Sequence, residues 1–270
     1  MKTTLRNLTL DVGGTFVKCS DGREVPIDSS GSREGIIASL RTAVGDTDGL
    51  ESVGVCIPGP FDYREGIFLM KHKFAAVFGE SFRSLAGIPE GVRMSYVHDV
   101  VAPLAGILRL HPETREGVVA LVTLGTGLGF SHAVDEEVQT TELLSPSVSL
   151  YNLPYRDGVL EDYVSRRGIL KAYGKPAEGD VSGIARKARS GDKDAKEAFL
   201  SCGRSLAEGA GDLFRELNIR HIFFGGQISK SFDLIEPALK EALPDIRMSE
   251  IKDFEEAVMA GTAVVRKPRC

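Results

Sequence analysis

The stretch Leu8-Thr9-Leu10-Asp11-Val12-Gly13-Gly14-Thr15 decides how the rest of the chain is interpreted. A short apolar strand ends at Asp11, two glycines make a tight turn, and a second apolar run begins at Phe16, which predicts a β-hairpin. Glycines lack a Cβ atom, so their backbone N–H groups can approach an anion closely. A carboxylate beside such a turn can hold Mg²⁺ through water molecules. A hairpin turn without any ligand explains the same residues equally well.

Composition and charge argue against several classes of protein. The 270 residues are 42% hydrophobic, which is enough for a full core and two lobes. The net charge of −5 is spread over interspersed residues and gives no indication of a nucleic-acid surface. No stretch approaches the roughly 20 apolar residues that a membrane span needs, and no apolar segment of a signal peptide follows the first residues. We therefore expect a cytoplasmic protein without a membrane or nucleic-acid partner.

The cysteines are Cys19, Cys56, Cys202 and Cys270, and they are isolated from one another in the sequence. Because no Cys-x-x-Cys pair is present, they predict reduced thiols in a cytoplasm and argue against a structural zinc site.

A second strand–turn–strand pattern follows in the middle of the chain. The apolar strand 118–124 leads into Gly125-Thr126-Gly127-Leu128-Gly129, and a further strand continues to about Val134. Two such hairpins predict a duplicated domain plan with one glycine turn in each half. Helical spacing of apolar residues, and for some segments composition alone, predicts helices over 33–44, 158–167, 180–190, 195–217 and 255–265.

Two strand-to-helix junctions are candidate ligand sites. The apolar segment 94–97 is followed at once by His98 and Asp99, and Asp99 is a plausible N-cap for the helix that begins there. Such junctions line the ligand crevices of open α/β sheets. A later strand ends at Gly225-Gly226, and the helix after it could receive a nucleotide at its N-terminus.

The order of these motifs resembles the actin–hexokinase–heat-shock ATPase superfold and, more closely, the ROK family of sugar kinases and related transcriptional repressors. The stretches that carry the resemblance are 10–15, 54–62, 98–99, 124–129, 158–163 and 224–229. The resemblance implies an α/β, two-lobed, ribonuclease-H-like (actin-like ATPase) fold with mixed sheets flanked by helices. We expect an N-terminal lobe at 1–105, joined by the last helix at 254–268, and a C-terminal lobe at 106–270.

What the resemblance implies is ATP-dependent phosphorylation of a hydroxyl of a hexose or related sugar, as in a glucokinase. Asp99 matches the family's catalytic base, and Asp11 would hold Mg²⁺ through water. The other residues implied to bind ATP or its phosphates are Gly13, Gly14, Thr15, Gly125, Thr126, Gly127, Gly225 and Gly226. The implied sugar contacts are His98, Glu161 and Glu142. Because no helix-turn-helix precedes residue 8, we expect the kinase branch rather than the repressor branch.

The sequence departs from the family on the sugar side. Many members have Asn before the catalytic Asp, where this chain has His98. Many also have a Gly-Glu-x-Gly-His segment and a zinc motif of three cysteines, and neither is found here, so we expect no zinc. An alternative is therefore a non-catalytic sugar- or nucleotide-binding regulator with the same fold. Polyphosphate as donor, another acceptor such as an amino sugar, and a homodimer all stay open.

Two further groups of basic residues lie near the motifs. Lys18 follows the first glycine turn, and Lys71-His72-Lys73-Phe74 falls where the family has a sugar-side loop. The second group is a candidate substrate contact. For both, solvated surface residues are the simpler interpretation.

Overall fold

The computed structural model of the chain describes residues 6–114, 116–176 and 180–265. The chain divides into two compact units. Unit 1 comprises Met1–His111, Thr140–Pro146 and Glu255–Cys270, and unit 2 comprises Pro112–Gln139 and Ser147–Phe254, each as far as the described residues extend. Among those residues, no helix has the length and apolar character that crossing a membrane requires.

Unit 1 is built on a mixed five-stranded sheet with the order β3-β2-β1-β4-β7. Its elements are β1 (Arg6–Val12), β2 (Phe16–Cys19), β3 (Glu24–Pro26), α1 (Arg33–Val44), β4 (Leu50–Ile57), β5 (Phe61–Asp62), β6 (Ile67–Phe68), α2 (Phe82–Ala86), β7 (Arg93–His98) and α3 (Val101–Leu110). The predicted first hairpin is confirmed, because β1 and β2 pair antiparallel. β1, β4 and β7 run parallel to one another.

Unit 2 repeats this plan with the sheet order β10-β9-β8-β13-β14. Its elements are β8 (Val118–Leu124), β9 (Leu128–Val134), β10 (Glu137–Val138), β11 (Pro154–Tyr155), β12 (Gly158–Val159), α4 (Arg166–Tyr173), α5 (Asp180–Arg189), α6 (Lys193–Glu216), β13 (Ile219–Gly225), α7 (Phe232–Ala242) and β14 (Arg247–Glu250). Antiparallel pairs on one side and parallel pairs on the other match the pattern of unit 1. The predicted duplicated plan is therefore confirmed.

The helices begin where local hydrogen bonds favour them. Ser32 caps α1 by accepting the N–H of Gly35 at 3.2 Å, and Asp192 caps α6 by accepting the N–H of Ala195 at 3.0 Å. Both caps satisfy N–H groups that have no partner inside the helix. The long helix predicted over 195–217 is confirmed as α6.

The predicted helical cap at Asp99 is wrong. The residue before α3 is Val100, and no side chain caps the helix. The Asp99 carboxylate instead contacts Nδ1 of His98 at 2.8 Å. Because the Asp99 carboxylate is bound to His98, it does not cap the helix. It lies at the end of the sheet instead.

The helix predicted over 158–167 is also wrong. Gly158 and Val159 pair with β11 in a small two-stranded sheet, a single 3₁₀ turn covers Leu160–Asp162, and α4 begins only at Arg166. The carboxylate of Asp162 accepts the N–H of Val159 at 3.0 Å. Such local side-chain bonds compete with the helical pattern of backbone bonds.

The last helix, α8 (Phe254–Val265), packs against α3 at very close range. A Cβ atom added to Gly106 would lie 1.9 Å from the carbonyl oxygen of Ala257, and one added to Gly261 would lie 1.7 Å from that of Ala102. Only glycine permits this approach of one helix backbone to the other. The C-terminal part of the chain is in this way built into unit 1.

We predict that Gly261→Ala lowers the free energy of unfolding by about 2–3 kcal/mol, because the added methyl group must push the two helices apart. The measurement is urea unfolding followed by circular dichroism. Gly91→Ala is the matched control, since its Cβ would meet no atom within 4 Å, and it should change the stability by less than about 0.5 kcal/mol. Equal stability of the Gly261 variant and the wild type would contradict the close packing.

Candidate functional site

Two acidic residues are brought to one edge of the sheet of unit 1. Asp11 lies near the end of β1 and pairs in register with Cys56 on β4, while Ile57 pairs with His98 at the end of β7. Asp99 follows directly. Because parallel strands end at the same edge of a sheet, Asp11 and Asp99 lie close enough for each charge to act on the other.

The environment of Asp11 disfavours its negative charge. Burial raises the pKa of its carboxyl group to about 6, and the nearby charge of Asp99 acts in the same direction. A hydrogen bond from the thiol of Cys56 and the positive charge of Lys18 oppose this rise without cancelling it. A carboxylate in this state gains from a bound cation, which would relieve both the burial and the repulsion.

His98 holds the carboxylate of Asp99. Its Nδ1 atom lies 2.8 Å from Oδ1 of Asp99, and the N–H of Val100 lies 3.2 Å from the same nitrogen. The other ring nitrogen, Nε2, lies 3.3 Å from where a Cβ of Gly59 would stand, and the ring of Tyr63 is centred 5.6 Å away. The hydroxyl of Tyr63 donates in turn to the carbonyl of Ile57 at 3.1 Å. The histidine ring is thus fixed from two sides.

Asp99 stays ionised at neutral pH. Burial would raise the pKa of its carboxyl group, but the bond and charge of His98, the charge of Lys73 and the N–H of Val100 together lower that pKa below its usual value. The side chain is nevertheless 44% exposed. An ionised, reachable carboxylate with one oxygen held by His98 can accept a proton from a bound hydroxyl group.

The first glycine turn lies beside these carboxylates in the same unit. The N–H of Gly13 donates to the carbonyl of Phe16 at 2.9 Å, and the carbonyl of Gly14 accepts the N–H of Ser29 at 3.1 Å. Thr15 is exposed at the tip of the turn. Lys18, on the following strand, forms an ion pair with Glu255 and lies 3.8 Å from Glu24, so its charge is already compensated.

The second glycine turn is held by the segment that follows β12 in unit 2. The carbonyl of Gly125 accepts the N–H of Arg166 at 2.9 Å. Oε2 of Glu161 accepts the N–H of Leu128 at 2.9 Å, and a Cβ on Gly127 would lie 2.7 Å from this oxygen. Glu161, which the sequence placed on the sugar side, therefore contacts the predicted phosphate turn directly.

The remaining predicted site residues lie in different settings. Gly225 ends β13 against the ring of Phe254, and a Cβ on Gly226 would lie 2.5 Å from the carbonyl oxygen of Leu124, so both glycines are also required by packing. Gly226 thereby adjoins the start of the second glycine turn, which contains Thr126. Glu142 belongs to unit 1 and is exposed on the turn that joins Thr141 to Ser145.

Sequence reasoning missed three residues that build the site. Cys56 lies under Asp11 and reaches its carboxylate, Ser29 holds the first glycine turn, and Arg167 binds Oε1 of Glu161 at 2.9 Å. The strand register could have found Cys56, since a parallel neighbour of β1 must pair with Asp11. No local pattern marks Ser29, whose partner Gly14 is 15 residues away, or Arg167, whose partner Glu161 is six residues away and lies outside the same helix.

Asp11 is the residue whose environment fits a magnesium ion, held through water, beside a glycine turn that can receive phosphate. Among the residues that the structure describes, no group of three or more His, Cys, Asp or Glu side chains forms a metal cluster. Three of the cysteines, Cys19, Cys56 and Cys202, are buried free thiols, and Cys270 lies outside the described residues.

Comparison with known proteins identifies the fold. Residues 155–264 match the model of the ROK family. The ROK hexokinase of Thermus thermophilus is 20% identical with a TM-score of 0.72, and 96% of each chain is covered. A ROK family glucokinase of Streptomyces griseus, solved with glucose and AMPPNP, is 20% identical with a TM-score of 0.75 over 96% of this chain and 98% of its own.

A ROK family transcriptional regulator, a homologue of the E. coli MLC protein, is 18% identical with a TM-score of 0.79 over 96% of this chain and 77% of its own. No curated protein matches the sequence. The predicted fold class and the resemblance to ROK sugar kinases are confirmed at the level of the fold.

We predict that Asp11→Asn stabilises the protein at neutral pH in the absence of metal. The pKa of Asp11 in the folded chain, about 6, lies above its usual 3.8, so the folded state loses stability as the pH rises through this range and the carboxyl ionises. The variant should lack this loss and exceed the wild type at pH 7.5 by on the order of 1–3 kcal/mol.

The measurement is urea unfolding at pH 4.5 and pH 7.5 with EDTA present. Glu90→Gln, which removes one exposed negative charge from the same unit, is the control. The same change of stability with pH in the wild type and in Asp11→Asn would show that Asp11 is not the group responsible.

Proposed function

We propose that this chain, which has the fold of the ROK sugar kinases, transfers the γ-phosphoryl group of ATP to a hydroxyl group of a hexose or related sugar. The observation that carries the proposal is the pairing of an ionised, reachable Asp99 with Asp11 and a glycine turn at one sheet edge of unit 1. Phosphoryl transfer needs a positioned acceptor, compensated phosphate charge and a base for the hydroxyl proton, and these residue types supply each requirement.

Asp99 is the general base in this proposal. One carboxylate oxygen is held by Nδ1 of His98, which leaves the other to accept the proton of the sugar hydroxyl. A carboxylate with a lowered pKa is a weak base, and this is sufficient because in phosphoryl transfer the proton leaves the hydroxyl late.

The residues proposed to bind the phosphates belong to the two glycine turns. Gly14, Thr15, Thr126 and Gly127 would present N–H or hydroxyl groups to ATP. Gly13 and Gly125, whose N–H groups bond to Phe16 and Gly127, would shape the two turns around the phosphates, while Gly225 and Gly226 would lie under the adenosine. Asp11 would hold Mg²⁺ through water. When bound, Mg·ATP supplies the phosphoryl group and a cation that compensates its developing charge.

The proposal also assigns residues to the sugar. His98, Glu161 and Glu142 are the candidate sugar contacts. The side chains of His98 and Glu161 are held by neighbouring groups, whereas that of Glu142 is exposed. Glu161 is oriented by Arg167 on one oxygen and by the N–H of Leu128 on the other. A carboxylate fixed in this way can accept hydrogen bonds from two sugar hydroxyl groups.

A regulator that binds a sugar without turnover is the second candidate. The likeness to a ROK transcriptional regulator favours it, as does the loss of the family's pocket histidine and zinc motif.

The two candidates differ in one measurable product. A screen for ADP release over some tens of sugars, with and without Mg²⁺, supports the kinase if any sugar gives turnover. Sugar binding by calorimetry with no ADP release and no use of polyphosphate supports the regulator.

We predict that Asp99→Asn lowers kcat by about 10²–10⁴-fold, because the amide cannot accept the hydroxyl proton. The dissociation constants for sugar and for Mg·ATP, measured by calorimetry, should stay within about threefold of the wild-type values. Glu90→Gln serves again as the charge-matched control. Full turnover in Asp99→Asn would remove Asp99 from the role of base.

We predict that Gly125→Ala separates folding from phosphate binding. A Cβ at this position meets no protein atom within 4 Å, so the fold does not require glycine there. The methyl group would instead occupy the space through which a phosphate approaches the turn, and the affinity for Mg·ATP should fall at least about tenfold with an unchanged unfolding midpoint. Gly91→Ala, which is equally open, should leave the affinity unchanged. Unaltered ATP affinity in Gly125→Ala would exclude this turn as a phosphate contact.

A further inference from the structure

The segment Lys71-His72-Lys73-Phe74 is anchored firmly at its last residue. Phe74 is fully buried and packs against Phe68, with the ring centroids 5.3 Å apart. Its backbone is left-handed, with φ at 52° and ψ at 25°, a conformation that costs a residue other than glycine about 1–2 kcal/mol. The burial of the ring offsets this cost, and the position of the preceding Lys73 is fixed as a result.

Ser29 ties this segment to the first glycine turn. Its carbonyl accepts the N–H of Phe74 at 2.6 Å, and its own N–H donates to the carbonyl of Gly14 at 3.1 Å. Ser29 is itself buried. Through these two bonds the side chain of Lys73 runs along the turn, and its Cε atom lies 4.0 Å from where a Cβ of Gly14 would stand.

The positive charge of Lys73 lies close enough to Asp99 to act on it. The side chain is exposed, and its positive charge is one of the groups that lower the pKa of Asp99. Lys18, the other lysine near this turn, is compensated by Glu255 and Glu24. In the part of the chain that the structure describes, no carboxylate lies within ion-pair distance of Lys73.

We propose that Lys73 is a catalytic residue that binds the phosphoryl group during its transfer, between the Gly13-Gly14 turn and Asp99. This rests on the proposed function. Negative charge on the transferred group is spread over its three peripheral oxygens, and an ammonium group beside them stabilises the transition state. A lysine whose backbone is held through Phe74 and whose ammonium group lies in no ion pair among the described residues needs little rearrangement to do this.

The step balances without any further reactant. The sugar hydroxyl oxygen forms the new bond to phosphorus while the bond from phosphorus to the oxygen bridging to ADP breaks. ADP leaves with the electron pair of that bond, and Asp99 receives the hydroxyl proton. Lys73 keeps its proton throughout and acts only through its charge and its N–H groups.

The test compares Lys73→Met with Lys196→Met and Lys73→Arg. Lys196 is the matched control because it is an exposed lysine on α6 that has no part in the proposed site. Lys73→Met should lower kcat by about 10²–10³-fold with a sugar KM within about threefold of the wild type. Lys73→Arg should recover part of kcat, and Lys196→Met should retain it. A kcat for Lys73→Met within threefold of the wild type overturns the proposal.

A second measurement does not depend on turnover. Calorimetric titration with tripolyphosphate should give about tenfold weaker binding to Lys73→Met and unchanged binding to Lys196→Met, with equal unfolding midpoints for both. Equal affinity in Lys73→Met and the wild type overturns the role of Lys73 in phosphate binding. Failure of the wild type to phosphorylate any sugar would instead contradict the proposed function, so the two failures are distinguishable.

Discussion

Two carboxylates at one end of the sheet of unit 1 repel each other. The chemistry of the candidate site depends on how the neighbouring groups act on each of them. The parallel register of β1, β4 and β7 brings Asp11 and Asp99 to the same end of the sheet, with β4 between them. The groups around the two carboxyls then shift their pKa values in opposite directions. Burial raises the pKa of Asp11, whereas His98 and Lys73 lower that of Asp99. Under the proposed function, the first of these carboxylates holds a cation and the second accepts a proton.

The repeated sheet order gives the chain two glycine turns with different supports. In unit 1 the turn is held by main-chain bonds, through Gly13 and through Ser29 on Gly14. In unit 2 the turn is held partly by a side chain, because Glu161 accepts the N–H of Leu128. The same topology thus carries one turn that is independent of ionisable residues and one that depends on a carboxylate.

Sequence patterns predicted those features that are decided within a few residues. Both hairpins, the glycine turns and the position of Asp99 at a strand end follow from local alternation and turn chemistry. The helix predicted over 158–167 is wrong because the Asp162 carboxylate binds the N–H of Val159 and the Glu161 carboxylate binds a backbone group 33 residues away. Helical periodicity records neither contact. The pairing of Cys56 with Asp11 needs the strand register before it can be recognised. The anchoring of the segment that carries Lys73 needs the bond between Phe74 and Ser29, two residues outside the strands.

The contact of α8 with α3 has a consequence for the synthesis of the protein. Gly106 and Gly261 meet in unit 1, yet nearly all of unit 2 lies between them in the sequence. A chain that leaves the ribosome from its N-terminus exposes the α3 surface long before α8 exists to cover it. The elements of unit 2 follow one another along the chain, interrupted only by the short segment Thr140–Pro146. The unit that is translated first is therefore the one that finishes folding last.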